Sequence, residues 1–179
     1  ISEDVESSDN IWQLTRARFP WLLVGMFGGI LGAWVVGFFK EGTSAEIIIF
    51  IPLIAAMGGN VGIQSSALVV QGIANQSLSG SILSKLFKEF GVGIVNGLLC
   101  GILLFVVNVL IGKTFEYSFA ISISLISVII FAAVFGTWIP LFFNKMKIDP
   151  ALATGPFITT ANDIFGLFLY FYICKILIT

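Results

Sequence analysis

The chain of 179 residues contains no histidine, and this absence removes several functions at once. Ser-His and Cys-His catalysis, imidazole metal ligands and histidine proton relays all require the missing side chain. The two cysteines, Cys100 and Cys174, lie within apolar runs and lack the spacing of a ligand pair. We therefore interpret both cysteines as packing residues.

Charged residues are also scarce, at 11% of the chain against about 25% in soluble domains. Apolar residues make up 58%, and the mean hydropathy is +1.04, which is typical of a protein surrounded by membrane lipid. The net charge of −1 offers no basic patch, so nucleic acid is not an expected partner.

Apolar stretches long enough to cross a bilayer, which takes about 20 residues, occur five times. They lie at 19–39, 47–70, 90–112, 117–143 and 150–178. Between the second and third stretches, residues 72–88 predict a polar turn followed by a short amphipathic helix. The sequence predicts an all-α membrane protein with five transmembrane helices per chain.

Lysine and arginine residues fall into two groups along these spans. One predicted side carries Arg16, Arg18, Lys85, Lys88, Lys145 and Lys147, and the other carries Lys40, Lys113 and Lys175. Because positive charge accumulates in cytoplasmic loops, we expect the N-terminus in the cytoplasm and the C-terminus outside. The predicted location is the inner or plasma membrane of the cell.

Glycines recur at intervals of four on two predicted helices. The pairs are Gly25 and Gly29, Gly28 and Gly32, and the series Gly93, Gly97 and Gly101. Small residues at this spacing let helix backbones approach closely in lipid, so packing is favoured over a ligand role. On the same reasoning, Asn96 and Asn108 predict hydrogen bonds between helices.

The segment from Pro52 to Gly72 differs from a packing helix. Three glycines interrupt its apolar run: Gly58, Gly59 and Gly62. Each glycine weakens a helix by about 1 kcal/mol relative to alanine, and irregular backbone at membrane depth lines a cavity or is buried in protein. Asn60 and Gln64 lie four residues apart and share a helix face. Cavity lining is favoured, with a polar interface between helices as the alternative.

Asp163 is the only charged residue between Pro150 and Cys174. A carboxylate at bilayer depth costs roughly 2.5–3.5 kcal/mol, so it usually faces an aqueous cavity, an ion or a partner. Lys175 lies roughly 18 Å further along the same predicted helix, too far for an ion pair. Asp163 is therefore the main candidate for a functional residue.

Gly155, Thr159 and Asp163 follow one another at intervals of four, which predicts a column on one helix face. Asp149 and Pro150 predict the start of that helix, with Pro156 inside it. Carbonyl, hydroxyl and carboxylate oxygens suit Mg²⁺ or Ca²⁺ rather than zinc or copper. Because Mg²⁺ keeps several waters, its site can have few protein ligands, but one aspartate is little even for such a site. A second chain related by a twofold axis would bring a second Asp163 carboxylate to a central pore.

Three stretches of the chain resemble the signature regions of the MgtE magnesium channel family, which is related to solute carrier family 41. They are PLIAAMGGNVGIQSSALV at 52–69, KEFGVGIVNG at 88–97 and DPALATGPFITTANDIFGLFLYF at 149–171. The resemblance implies a homodimer with five transmembrane helices per chain. It further implies a central pore selective for Mg²⁺, the transported and bound ion, lined by the second and fifth helices.

The resemblance also implies roles for individual residues. The pore metal site corresponds to Asp163, Thr159 and Gly155. The pore-lining and supporting positions are Asn60, Gly58, Gly59, Gln64 and Asn162. The position of Gly155 is often asparagine in the family, and Ile63 replaces a second asparagine, so the polar shell is poorer here.

Full-length bacterial members of the family carry a cytosolic N-domain and paired CBS domains that close the pore when Mg²⁺ is plentiful. The resemblance implies that residues 1–15 are a remnant of a cytosolic connecting segment. Residues 16–179 would form the transmembrane pore domain, without the N and CBS domains of the full-length protein.

The favoured function is a magnesium channel that conducts hydrated divalent cations, and the alternative is a carrier coupled to Na⁺ or H⁺. An intramembrane aspartyl enzyme needs two carboxylates that share a proton, and only one acid is deep in this chain, so we predict that it is not an enzyme. A purely structural scaffold would leave Asp163 unexplained.

Overall fold

The computed structural model describes residues 10–77, 80–153 and 155–178, which form helices and no strand. The helices are α1 (Ile11–Phe39), α2 (Ala45–Ile48), α3 (Ile51–Ala74), α4 (Ile82–Leu110), α5 (Phe115–Lys145) and α6 (Pro156–Ile178). Five spans are long and apolar enough to cross a membrane, with α2 and α3 together forming the second. The predicted all-α fold with five spans is confirmed.

Helix α1 begins at Ile11, well before the predicted start at Phe19. The backbone N–H of Trp12 donates to Asn10 Oδ1 over 3.4 Å, and the backbone N–H of Asn10 donates to Gln13 Oε1 over 3.2 Å. This reciprocal capping box satisfies N–H groups that a helix start leaves unpaired, so the helix starts within the polar segment. Residues 1–9 of the predicted connecting segment lie outside the described residues, and its boundary stays a prediction.

The prediction of a separate amphipathic helix within residues 72–88 was wrong. Helix α3 continues to Ala74, and α4 begins at Ile82 and runs without a break to Leu110. The backbone N–H of Ser84 donates to Ser81 Oγ over 3.2 Å, which caps the start of α4. No residue between Lys85 and Phe90 breaks the helix, so the segment with Lys85 and Lys88 is the first part of the third span.

The last span was predicted as one helix from Pro150, and the structure divides it. A short 3-10 turn, Pro150–Ala153, precedes α6, and Gly155 adopts a φ of +73°. This left-handed conformation ends the turn, and Pro156 then occupies the first position of α6, where its missing N–H costs nothing. Asp149 does act as a cap, but of the 3-10 turn: the backbone N–H of Ala151 donates to Asp149 Oδ1 over 2.9 Å.

Helix α5 lies at the centre of the bundle and packs against α3, α4 and α6, while α1 packs against α6. It is the most buried of the five spans. Near one end, the rings of Phe39 and Phe171 stack with centroids 5.4 Å apart, and the hydroxyl of Tyr170 donates to the carbonyl of Ile47 over 2.8 Å. These contacts join α1, α2 and α6.

The two asparagines of α4 do not behave as predicted. Asn96 is exposed in the single chain. Asn108 is 1% exposed, yet neither polar atom of its amide has a hydrogen-bond partner in the described part of the chain. The structure therefore contradicts the expected interhelical hydrogen bond at Asn108, because no donor or acceptor of α5 reaches it.

Charged residues at one end of the bundle lie together, as their grouping predicts. Lys113 Nζ is 3.3 Å from Glu46 Oε1, which ties the turn before α5 to α2. The neighbouring Ile47 lines a cavity of about 570 Å³ that Glu41 and Lys175 also line. Lys113 and Lys175 therefore occupy the same end. Which end faces the cytoplasm stays a prediction.

Candidate cation site

Asp163 lies in the second turn of α6 with its side chain half-buried. It is roughly 10 Å along the helix axis from Pro156, well inside the span. Its carboxylate makes no hydrogen bond or ion pair with any described residue. Helix α1 comes close on one side, since a Cβ at Gly32 would lie 3.8 Å from the Asp163 carbonyl oxygen and 4.0 Å from its Cβ. The carboxylate is thus enclosed on one side and unpaired.

The described residues contain no cluster of three or more histidine, cysteine, aspartate or glutamate side chains. Asp163 is the only acidic residue of α6, so this helix supplies a single carboxylate to the site. Any further oxygen ligands must come from hydroxyls, amides, backbone carbonyls, water or another chain.

Thr159 lies one turn before Asp163, on the same face of α6. Its hydroxyl donates to the carbonyls of Pro156, over 3.1 Å, and Gly155, over 3.3 Å. The backbone N–H of Thr159 also donates to the Gly155 carbonyl over 3.1 Å. Gly155 is outside the helix, so the predicted column of three is continuous only from Thr159 to Asp163. The left-handed backbone at Gly155 is the reason.

Helix α3 runs unbroken through the glycines that were predicted to interrupt it. These glycines are buried and mark close contacts: a Cβ at Gly58 would lie 3.2 Å from Val128, and one at Gly59 would lie 3.6 Å from the methyl of Thr159. The prediction of irregular backbone was wrong, because neighbouring helices pack against the glycines and support the helix there.

Asn60 and Gln64 are exposed in the single chain and lie one turn apart on α3. The glycine face of α3 is turned towards α5 and α6, so these two amides lie on a different face. An amide facing hydrocarbon would be costly, since lipid offers it no hydrogen bond. This face of α3 therefore needs water or protein against it.

Asn162 is buried between helices instead of lying on that exposed face. It is 2% exposed, and its Nδ2 donates to the carbonyl of Gly58 over 3.0 Å. Its Oδ1 is buried and has no partner among the described residues. The structure therefore brings Asn162 and Gly58 into direct contact and places Thr159 beside Gly59, where an added Cβ would meet the Thr159 methyl.

Two further polar contacts between helices were also not predicted from the sequence. Thr160 Oγ1 donates to the carbonyl of Val24 over 3.4 Å, joining α6 to α1. Ser65 Oγ donates to Glu89 Oε1 over 2.6 Å, joining α3 to α4. The hydroxyls of Thr160 and Ser65 within apolar runs indicate that each needs a hydrogen-bond partner. The sequence does not identify these partners, because they lie 136 and 24 residues away.

These features define an integral membrane protein of five helical spans, in which the carboxylate of Asp163 lies well inside the last span without a partner among the described residues. The chain belongs to the MgtE family, described as a divalent cation transporter, whose family model matches residues 51–173. The matched part extends from the start of α3 into α6 and includes Asp163. The family membership implied by the sequence motifs is confirmed, and a transporter family agrees with the prediction that the chain is not an enzyme.

Three bacterial proteins named magnesium transporter MgtE are similar to the chain. The protein of Bacillus subtilis is 31% identical over 172 residues, covering 94% of the chain and 38% of the relative. That of Enterococcus faecalis is 32% identical, covering 96% and 39%. That of Thermus thermophilus is 27% identical, covering 92% and 37%. The chain thus spans less than two fifths of the length of these relatives.

Proposed function

We propose that the chain forms the membrane pore of a magnesium channel and that hydrated Mg²⁺ is held at Asp163. The observation that carries this proposal is the unpaired, half-buried carboxylate within α6. Holding a charge at bilayer depth costs roughly 2.5–3.5 kcal/mol. Since no described side chain neutralises it, a passing cation is the partner that explains its presence.

The oxygen groups around Asp163 suit a hydrated ion. Mg²⁺ loses its water reluctantly and is commonly bound by one or two carboxylates, with waters filling the remaining positions. The carbonyls of Thr159 and Gly155 would accept hydrogen bonds from those waters; the Gly155 oxygen has a lone pair for water when the Thr159 hydroxyl donates to Pro156 instead. A site with so few direct ligands binds weakly enough for the ion to leave, as conduction requires.

A homodimer would complete this site, and two features of the chain support it: the single carboxylate of Asp163 and the exposed amides of α3. A twofold axis close to α3 and α6 would bring two Asp163 carboxylates towards one path. The exposed amides Asn60 and Gln64 would then face that path instead of lipid. Gly58 and Gly59 contribute by letting α3 approach α5 and α6 closely.

The alternative mechanism is a carrier that uses the same carboxylate and couples Mg²⁺ movement to a Na⁺ or H⁺ gradient. The unpaired aspartate is compatible with both mechanisms. The two differ in whether Mg²⁺ flux depends on an imposed counter-ion gradient.

The test is Mg²⁺ uptake into liposomes that contain either the unaltered chain or Asp163→Asn, which keeps the shape but removes the charge. Glu46→Gln is the matched control, because it makes the same chemical change at the Lys113 ion pair. We expect Asp163→Asn to abolish uptake and Glu46→Gln to retain it. Gradient-independent uptake supports a channel, and uptake that requires Na⁺ or H⁺ supports the carrier. Equal uptake by the unaltered chain and Asp163→Asn would refute the assigned ion site.

A further inference from the structure

A buried amide crosses the contact between α3 and α6 next to the candidate cation site. Asn162 is 2% exposed, and its Nδ2 donates over 3.0 Å to the carbonyl of Gly58. Because α3 is continuous there, the Gly58 carbonyl also accepts a backbone hydrogen bond within its own helix. The amide therefore adds a link between helices to a carbonyl that is already satisfied.

Helix α3 provides the space into which this amide fits. A Cβ at Gly62 would overlap the Asn162 amide and would lie 2.7 Å from Ile158 Cγ2. A Cβ at Gly58 would lie 3.7 Å from Asn162 Cβ and 3.2 Å from Val128 Cγ1. The amide thus occupies a slot bounded by two glycines of α3 and by α5, which leaves little freedom for α6 to turn about its axis.

The same amide is a poor choice for stability alone. Its Oδ1 is buried without a partner among the described residues. A buried polar atom without a hydrogen bond destabilises the folded state, whereas an apolar side chain of similar shape would not. Leucine has the branching pattern of asparagine, so packing by itself does not account for this residue.

Asp163 is the next residue along α6 and has no partner of its own among the described residues. Successive side chains on a helix point about 100° apart, so the orientation of Asn162 determines that of Asp163. On the other side of α6, Thr160 meets α1 at Gly28 and Val24. We infer that Asn162 is a positioning residue: its hydrogen bond to Gly58 sets the rotation of α6 and directs the Asp163 carboxylate at the cation. This inference rests on the proposed role of Asp163.

The test compares four proteins in liposomes: the unaltered chain, Asn162→Leu, Thr160→Val and Asp163→Asn. Thr160→Val is the matched control, because it removes the other hydrogen bond from α6 to a neighbouring helix and keeps the side-chain shape. Mg²⁺ uptake is measured against Mg²⁺ concentration, alone and with competing Ca²⁺. Thermal unfolding in detergent is measured with and without Mg²⁺.

We expect Asn162→Leu to unfold at the same or a higher temperature than the unaltered chain in the absence of Mg²⁺. Its half-saturating Mg²⁺ concentration should rise by about tenfold, as when a supporting residue behind a metal ligand is lost. Stabilisation by Mg²⁺ and discrimination against Ca²⁺ should both decrease. Thr160→Val should match the unaltered chain within about twofold, well below the effect of a supporting residue.

If Asn162 had a purely structural role, Asn162→Leu would unfold at a lower temperature and reach a lower maximal Mg²⁺ uptake, with an unchanged half-saturating Mg²⁺ concentration. This result would overturn the inference. So would unaltered Mg²⁺ uptake by Asn162→Leu. If that variant is not recovered folded, Asn162→Ala, which cannot overpack against Gly62, must show the same increase in half-saturating concentration. Loss of uptake in Asp163→Asn with no effect at Asn162 refutes only the positioning role. Retained uptake in Asp163→Asn refutes the proposed function.

Discussion

Two glycine-lined contacts between helices have the same close approach but different chemistry. The contact between α4 and α5, here called the apolar seam, is formed by Gly93, Gly97, Gly101, Ile126, Ile130 and Ala133. The contact between α3 and α6, here called the polar seam, is formed by Gly58, Gly62, Ile158 and Asn162. In the apolar seam the atoms that face the glycines are isoleucine and alanine side chains and backbone. In the polar seam, an asparagine amide fills the space.

The difference shows what a glycine repeat does and does not indicate. In lipid, glycine permits close van der Waals packing wherever it recurs, whether or not the contact has a function. Asn162 in the polar seam is adjacent to Asp163, which has no partner among the described residues, whereas Glu89, one turn before the apolar seam on α4, accepts a hydrogen bond from Ser65. A glycine repeat therefore indicates a helix contact, and the polar residue within that contact indicates where function is to be sought.

The largest effect among glycine substitutions is expected at Gly136, which brings α5 against the polar seam. A Cβ there would overlap the backbone carbonyl of Gly62, and Gly62 Cα would lie 3.0 Å away. Because backbone inside a helix cannot move aside cheaply, Gly136→Ala should destabilise the protein by about 1–3 kcal/mol and reduce Mg²⁺ uptake. Thermal unfolding in detergent, followed by tryptophan fluorescence, measures the first effect and liposome uptake the second.

Gly37→Ala is the control for this substitution, because a Cβ at Gly37 meets nothing within 4 Å. It makes the same change inside a helix without overlap. Equal unfolding temperatures for Gly136→Ala and Gly37→Ala would contradict the close approach of α5 to α3.

A smaller effect is expected in the apolar seam. A Cβ at Gly101 would lie 2.5 Å from Ile126 Cγ1, 2.7 Å from Ile126 Cδ1 and 3.3 Å from the Ser122 carbonyl oxygen. The closest atoms belong to a side chain and not to the backbone, and alanine gains about 1 kcal/mol over glycine in helix propensity, so Gly101→Ala should destabilise the protein less than Gly136→Ala, by about 1 kcal/mol.

The half-saturating Mg²⁺ concentration measured by liposome uptake distinguishes the two seams. It should be unchanged in Gly101→Ala, because the apolar seam does not orient Asp163. A rise comparable to that expected for Asn162→Leu would remove the functional distinction between the polar and apolar seams.

The smallest effect is expected at Gly29, on the face of α1 that meets no described residue within 4 Å. Gly29→Ala should leave Mg²⁺ uptake unchanged and stabilise the chain by up to about 1 kcal/mol through helix propensity. Gly28→Ala is the contrasting variant, since its Cβ would lie 2.7 Å from Thr160 Cβ. Destabilisation by Gly29→Ala, measured by thermal unfolding, would mean that this face is covered in the assembled protein.

Much of the fold could be predicted because the signals are local. Long apolar runs predicted the five spans, and the scarcity of charge made Asp163 conspicuous in the last one. The errors occurred where a single backbone conformation decided the outcome. Gly155 ends the 3-10 turn and puts Pro156 at a helix start, whereas the glycines around Gly59 leave α3 intact. Glycine can either end a helical turn or continue a helix, and the residues packed around it determine which of the two occurs.

The amino-acid sequence by itself determined the class of protein and the number of spans, and it identified Asp163 as the residue proposed to contact an ion. Span length and the cost of a charge in lipid depend on composition along one segment, so no neighbour is needed to recognise them. The tertiary structure alone decided that Gly28 and Gly32, and not Gly25 and Gly29, face α6. It also decided that Asn162 bonds to Gly58. These outcomes depend on how each helix is rotated against its neighbours, and that rotation is set by contacts between residues far apart in the chain.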